Sequence, residues 1–370
     1  MMGKYCYRSF TILSLSMFLI LLSSCSQSER KEAEYSTNKT TREVLGFYTE
    51  QEGTLPGSQP TVTSHFNHLS IIAPFWYKLD DKRPGNLIDS VTEDHKRTVI
   101  QSAHEKHLKV YMVVHNLFYE TEEKGKRVAG NILKSDKNRN DFIQNLRNEM
   151  HQFNYDGINI DMENLYLTDR DSFSLLIKNL SESLHRDGKL VTVSVPANTG
   201  DSRANPWSAW FDYEKLGQYS DRLMIMTYDE HNPRTTPGST ASVNWIEATI
   251  DYALKHKVPP SKILLGIATY GWDWDTTANK ALYSSYAMLM SQKTKYKAKV
   301  KWDSHTKTPH FSYVDNKNHS HQAWFENGHS LRFKLNLVEK YDLRGIGLWR
   351  LGLEDPMYWT IISEKIKVKK

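Results

Sequence analysis

Apolar residues in this chain come in short runs, parted by longer stretches whose apolar positions recur with helical spacing or give way to polar residues. Eight runs read as strands: Val44 to Thr49, His68 to Trp76, Lys109 to Asn116, Gly157 to Asn164, Leu190 to Asn198, Arg222 to Asp229, Ile263 to Trp272 and Gly345 to Gly352. Between them, Asp94 to Lys106, Arg139 to Phe153, Asp169 to Asp187, Val243 to Lys255 and Ser330 to Tyr341 read as helices. Strands alternating with helices, in a body somewhat over the ~250 residues typical of the class, predict an α/β fold, the (β/α)8 TIM barrel. A doubly wound open sheet is the competing arrangement, but no glycine-rich phosphate loop follows the first strand. Most of the extra length lies between Trp272 and Arg344. There Lys297 to Asp303, His310 to Val314 and Gln322 to Glu326 read as short strands, predicting a small α+β insertion over about residues 273–329, between strands 7 and 8.

One strand departs from the apolar pattern of a sheet buried on both sides. In Tyr155-Asp156-Gly157-Ile158-Asn159-Ile160-Asp161-Met162-Glu163-Asn164, the residues Ile158, Ile160 and Met162 alternate with Asn159, Asp161 and Glu163. A strand here sends three polar side chains to one face, so its carboxylates belong where water or a ligand reaches them. Alternation alone is equally met by a solvated edge strand and by a strand at the mouth of a barrel. At a mouth, two close carboxylates repel when both ionise, which raises the proton affinity of at least one and suits it to proton donation near neutral pH.

In a (β/α)8 barrel, chemistry sits at the carboxyl ends of the strands. Those ends carry Phe75-Trp76-Tyr77, His115-Asn116, Asp161 with Glu163, Tyr228-Asp229, Tyr270 with Trp272, and Trp349-Arg350. Any one of these aromatics is as readily explained by core packing. Together with the acids they describe a sugar cleft, with flat faces for pyranose rings and polar groups for hydroxyls.

The chain opens with Lys4 and Arg8, an apolar run from Phe10 to Leu22, and Leu22-Ser23-Ser24-Cys25. A short apolar core behind a basic start reads as a secretory leader over residues 1–24. The Leu-Ser-Ser-Cys ending resembles a bacterial lipobox, which implies acylation of Cys25; a plain cleaved leader is the alternative. Residues 26–41 have almost no apolar content and read as a disordered tether, with the folded body over residues 42–370. Cys6 and Cys25 are the only cysteines, so no disulfide joins the mature body. The formal charge is +5, and removing a leader with two basic residues and no acid leaves +3. With no basic stripe or named motif, this excludes nucleic acid as a partner. His305, His310, His319, His321 and His329 in the insertion match no common metal-site spacing and read as scattered surface residues. No metal, cofactor or oligomeric state is implied.

The run Asp156 to Glu163 resembles the DGxDxDxE signature of family 18 glycoside hydrolases, the chitinase-like barrels, with Asn159 in place of the middle Asp. Within that family the chain is similar to the spore-cortex-lytic N-acetylglucosaminidases, in which the same Asn occurs. Met226-Thr227-Tyr228-Asp229-Glu230-His231, Tyr270-Gly271-Trp272 and Gly345 to Gly352 agree with that branch in the same order, and the likeness covers about residues 42–365. Peptidoglycan-binding repeats that usually precede such barrels are not found in this sequence.

The resemblance implies hydrolysis of N-acetylglucosamine polymers, peptidoglycan or chitin-like, in which the substrate's own 2-acetamido group assists. It implies Glu163 as acid and base, Asp161 as partner of the acetamido N–H, Tyr228 as donor to the acetamido oxygen and Trp349 as floor beneath the reacting sugar. Asp156 and Asn159 are expected to support the acids from below, with Asp229 and Glu230 next in line. Trp76, Asn116, Tyr270 and Trp272 are expected to bind sugar. His115-Asn116 stands where many chitinases carry Ser-x-Gly-Gly, which weighs against a chitinase. Endo-acting deglycosylases and a sugar-binding barrel without activity remain alternatives; the latter typically lose the residue at the position of Glu163, which is intact here.

Overall fold

The computed structural model describes residues 39–118, 121–201 and 208–370; the leader, Cys25 and the tether before residue 39 lie outside the described residues. Among these, eight parallel strands pair in chain order: β1 (Thr41–Tyr48), β2 (Ile71–Pro74), β3 (Lys109–His115), β4 (Gly157–Asp161), β5 (Leu190–Pro196), β6 (Arg222–Met226), β7 (Ile263–Ala268) and β8 (Gly345–Trp349). β8 returns beside β1, with Ile346 opposite Val44, and the ring closes. The period of two then divides every strand between two cores. Leu45, Phe47, Ile71, Ala73, Tyr111, Val113, Met224 and Leu264 fill the barrel. Their out-turned neighbours, among them Val44, Ile72, Val110 and Ile158, join the larger layer under the helices.

Two inward glycines are there for space. A Cβ on Gly347 would sit 2.3 Å from the Met224 sulfur, and one on Gly266 would sit 3.0 Å from the Tyr228 ring. At Gly266 the tighter limit is the backbone of β6, since the same Cβ would stand 2.4 Å from Ile225 O.

Several strands end earlier than the apolar pattern predicts: β4 at Asp161 rather than Asn164, β6 at Met226 rather than Asp229, and β8 at Trp349 rather than Gly352. Twisted strands of a barrel splay at its rim, and side-chain brackets there take over from ladder hydrogen bonds. The run from Ile263 to Trp272 is two strands, not one. Thr269 interrupts it, its N–H bonded to Trp349 O at 3.0 Å and its hydroxyl to Arg350 O at 2.6 Å. Beyond it Tyr270–Asp275 enters a separate antiparallel sheet, in the order Lys280–Ser285, Tyr270–Asp275, Ser320–Phe325, Thr308–Val314, Lys301–Asp303. That sheet has its own small core of Leu289, Phe311, Ala323 and Phe325. Of its five histidines, His305 and His329 are exposed as expected, while the other three are half-buried and partnered. His321 is hydrogen-bonded to Asp273 at 3.1 Å and stacked on Tyr313, His319 is hydrogen-bonded to Asp275 at 2.7 Å, and His310 stacks on Trp324.

At the amino end of the strands, polar side chains plug the barrel. Glu43 accepts hydrogen bonds from Arg222 at 2.5 and 2.8 Å and from Arg344 at 2.8 and 2.7 Å. Burial works against ionisation of Glu43, but the two guanidiniums outweigh it and hold the carboxyl at about 2, below its ordinary 4.5. Such a depressed group adds stability that is fully present above about 4.5 and fades as pH falls towards about 2. Glu43→Gln strands the buried Arg222 charge and is expected to cost about 3–5 kcal/mol at neutral pH. Urea unfolding of wild type and variant checks this: the gap narrows between pH 4.5 and 2, and a gap independent of pH contradicts the assignment.

Candidate active site

β4 carries Asn159 and Asp161 on its inward face, one layer apart, and Glu163 continues the alternation just past the strand's end. What holds Glu163 is the side chain of Asn116. Its oxygen accepts the Glu163 N–H at 2.7 Å and its amide donates to the Glu163 carbonyl at 2.8 Å, so a side chain from the end of β3 replaces the missing ladder. Asn116 is buried and also bonded to Gly125 O. It is a brace for the acid rather than the sugar contact expected from the sequence. The residue after Glu163, Asn164, takes a left-handed φ of 50° and turns the chain away.

Asp161 is buried, and its Oδ1 meets no partner among the described residues. Burial raises its proton affinity, with the Ser194 hydroxyl working in the opposite sense. Glu163 is raised by burial first, then by the charges of Asp161, Asp229 and Glu122. The Tyr228 hydroxyl is pushed well up by burial and by Asp161, Glu163 and Asp229, so it stays protonated and serves as a donor. Glu163 and Tyr228 line one hollow at the mouth, with Asp161 two residues before Glu163 on the same face and close enough for its charge to act on both.

Two hollows flank this group. One, of about 610 Å3, is lined by Glu163, Tyr228, Asp229, Trp272, Met226 and Arg234, among others. Arg234 is ion-paired with Glu122, the first residue of the helix Glu122–Leu133. The other, of about 450 Å3, is lined by Trp349, Phe75, His115, Trp76, Glu50 and Asp89, among others. Trp349 is held edge-on by Phe47 and Phe75, each with ring centroids 5.2 Å away. Trp349 of one hollow and Tyr228 of the other pack on one cluster of Ala268, Tyr270 and Leu353.

The remaining sequence candidates fall into distinct places. Asp229, at φ 61°, accepts the Tyr270 hydroxyl at 2.5 Å and the Trp272 indole N–H at 3.0 Å, which fixes one wall of the larger hollow. Glu230 is engaged by the N–H and hydroxyl of Ser242 at 2.6 and 2.8 Å, at the start of the helix Val243–Lys255. Trp76 is buried and donates to Glu50 at 3.0 Å. Asn159 lies fully buried below Asp161, donating to Ser194 at 2.9 Å. Asp156 is not near the site. Five residues before Asp161 at about 3.3 Å each, it stands at the far end of the barrel, where it accepts from Val110 N–H at 2.8 Å and pairs with His104 at 2.9 Å. The sequence reading missed Tyr283 of the strand Lys280–Ser285, which packs on Tyr270 at 4.4 Å and Trp272 at 5.2 Å. The run Lys280-Ala281-Leu282-Tyr283-Ser284-Ser285 has no alternation of apolar and polar residues that would have marked it. Among the described residues no group of His, Cys, Asp and Glu could hold a metal.

Residues 45–354 match the sequence profile of the glycosyl hydrolases family 18. The chain belongs to that family. It is 28% identical to the uncharacterized glycosylase YvbX of Bacillus subtilis, over 97% of this chain and 100% of that one. It is 27% identical to the cortical fragment-lytic enzyme of Bacillus anthracis, over 85% of this chain and 74% of the relative. The crystal structure of the spore cortex-lytic enzyme SleL from Bacillus cereus superposes with a TM-score of 0.82 at 24% identity, over 90% of this chain and 76% of SleL. A glycosyl hydrolase is thereby identified.

Because Asp161's charge is one cause of the raised Glu163, Asp161→Asn lowers the pH at which Glu163 loses its proton. Carbon NMR of labelled glutamate side chains follows that titration. An unchanged or higher value would show the two carboxyls do not interact.

Proposed function

We propose that the chain cleaves β-linked N-acetylglucosamine in peptidoglycan, cortex-type or vegetative, by substrate-assisted retaining catalysis. The observation that carries this reading is the convergence of Asp161, Glu163 and Tyr228, with both carboxyls raised and the tyrosine kept as a donor. The 2-acetamido oxygen attacks the anomeric carbon as the glycosidic C–O bond breaks, and Glu163 gives its proton to the leaving oxygen. Water then adds to the same carbon, the oxygen–carbon bond of the cyclic intermediate breaks, and Glu163 takes the water's proton. Asp161, through its Oδ1 that no described residue meets, holds the acetamido N–H and offsets the positive charge of the intermediate. Tyr228 aims the acetamido oxygen, and Trp349 is the floor under the sugar.

The choice of peptidoglycan over chitin rests on relatives with cortex-lytic names that share most of this chain's length. Incubating residues 42–370 with cortex peptidoglycan, vegetative peptidoglycan and chitin, and weighing the released fragments, tests it. Release from peptidoglycan is expected, with Glu163→Gln at least about a hundredfold slower and equally stable; equal activity in that variant removes Glu163 from the acid role.

The leader with Leu22 to Cys25 supports a further reading, an enzyme anchored by an acyl chain outside the cytoplasmic membrane of a bacterium. Cys25→Ala is expected to move the full chain from the membrane to the soluble fraction; persistent membrane association contradicts the anchor.

A further inference from the structure

Two acids lining the hollow over Trp349 already have partners. Glu50 accepts from the Trp76 indole at 3.0 Å and lies 2.9 Å from His95, while Asp89 is ion-paired to the buried Lys96 at 2.6 Å. His115 differs. It closes β3 on the same level as Asp161, its Cα partner on β4, and stacks on Phe75 at 4.1 Å with an 8° angle between rings. Phe75 in turn holds Trp349. His115 is 7% exposed, and its Nδ1 accepts the Leu117 N–H at 3.2 Å. A ring nitrogen that accepts carries no proton, so in the neutral imidazole the proton is on Nε2. Burial and the nearby Lys78 keep the imidazole neutral, with its proton affinity far below that of an ordinary histidine. Nε2 has no hydrogen-bond partner among the described residues, and His115 lines the hollow.

We propose that His115 is a specificity-determining residue, whose Nε2–H donates to a ring hydroxyl of the N-acetylated sugar lying against Trp349. A donor that meets no protein group among the described residues, on a side chain lining the hollow, is free to give its hydrogen bond to a ligand oxygen in place of water. The neighbouring Asn116 grips the backbone of Glu163, so consecutive residues at the end of β3 divide two tasks, one for the substrate and one for the acid. This assignment rests on the function proposed above and adds to it a residue that reads hydroxyls.

Two substitutions separate contact from packing. His115→Asn keeps an oxygen where Nδ1 accepts Leu117 and removes the donor at Nε2; His115→Gln keeps an N–H near the Nε2 position. With an N-acetylglucosamine oligosaccharide as substrate, His115→Asn is expected to lower kcat/KM about tenfold and His115→Gln to recover much of it. The pH profile keeps its limbs in both variants, because His115 carries no charge in the working range. A substrate series lacking single ring hydroxyls identifies the partner: one deoxy sugar erases the difference between wild type and His115→Asn. Equal kcat/KM in wild type and His115→Asn, or no rescue by Gln when both variants melt like wild type, overturns the assignment while leaving Glu163 in place. A wild-type chain that neither binds nor cleaves the oligosaccharide overturns the functional reading and this one with it.

Discussion

Two carboxyls made reluctant to ionise are the constraint around which this barrel is arranged. Asp161 and Glu163 sit where the closed ring of strands excludes bulk water, and each is pushed towards its protonated form, Glu163 partly by the other. A carboxyl in open water would have given its proton away long before neutral pH. The remainder of the mouth can be understood as what is needed to hold this pair apart from solvent yet open to a sugar. Asn116 fixes the backbone of Glu163, Ser194 and Asn159 occupy the layer beneath Asp161, and Tyr270 with Trp272 holds Asp229 to one side.

Polar groups at the two ends of the barrel obey opposite rules. At the base, Glu43 is satisfied by two guanidiniums and firmly ionised, which makes a rigid plug. At the mouth, Asp161 Oδ1 is left without a partner among the described residues and the charges nearby are of like sign. A fold with only the first kind of site would be more stable and chemically inert.

Much of this was legible from the sequence. Eight apolar runs gave the ring and its order, and the alternation through Ile158 to Glu163 placed both acids on one face. Three kinds of information were not legible. Strand ends were overestimated, because residues such as Met162 and Thr227 stay buried after ladder pairing stops and apolar pattern tracks burial, not pairing. Closeness in sequence misled for Asp156, which a rise of about 3.3 Å per residue carries to the opposite end of the strand from Asp161. Roles set by a side chain's hydrogen bonds were hidden too: Asn116 and Glu230 look like ligand contacts until their partners, the Glu163 backbone and Ser242, are seen. Tyr283 was lost because the insertion's first hairpin is short and half exposed.

The central claim is that the ligand's own amide attacks while Asp161 only steadies it. Substrates whose 2-acetamido group carries one, two or three fluorines test this most directly, since each fluorine weakens the carbonyl oxygen as a nucleophile without altering the leaving group. The account predicts a steep, stepwise fall in kcat/KM along the series. A flat series, with the trifluoro substrate cleaved as fast as the parent, would mean that an enzyme carboxylate or water attacks instead, and would contradict it.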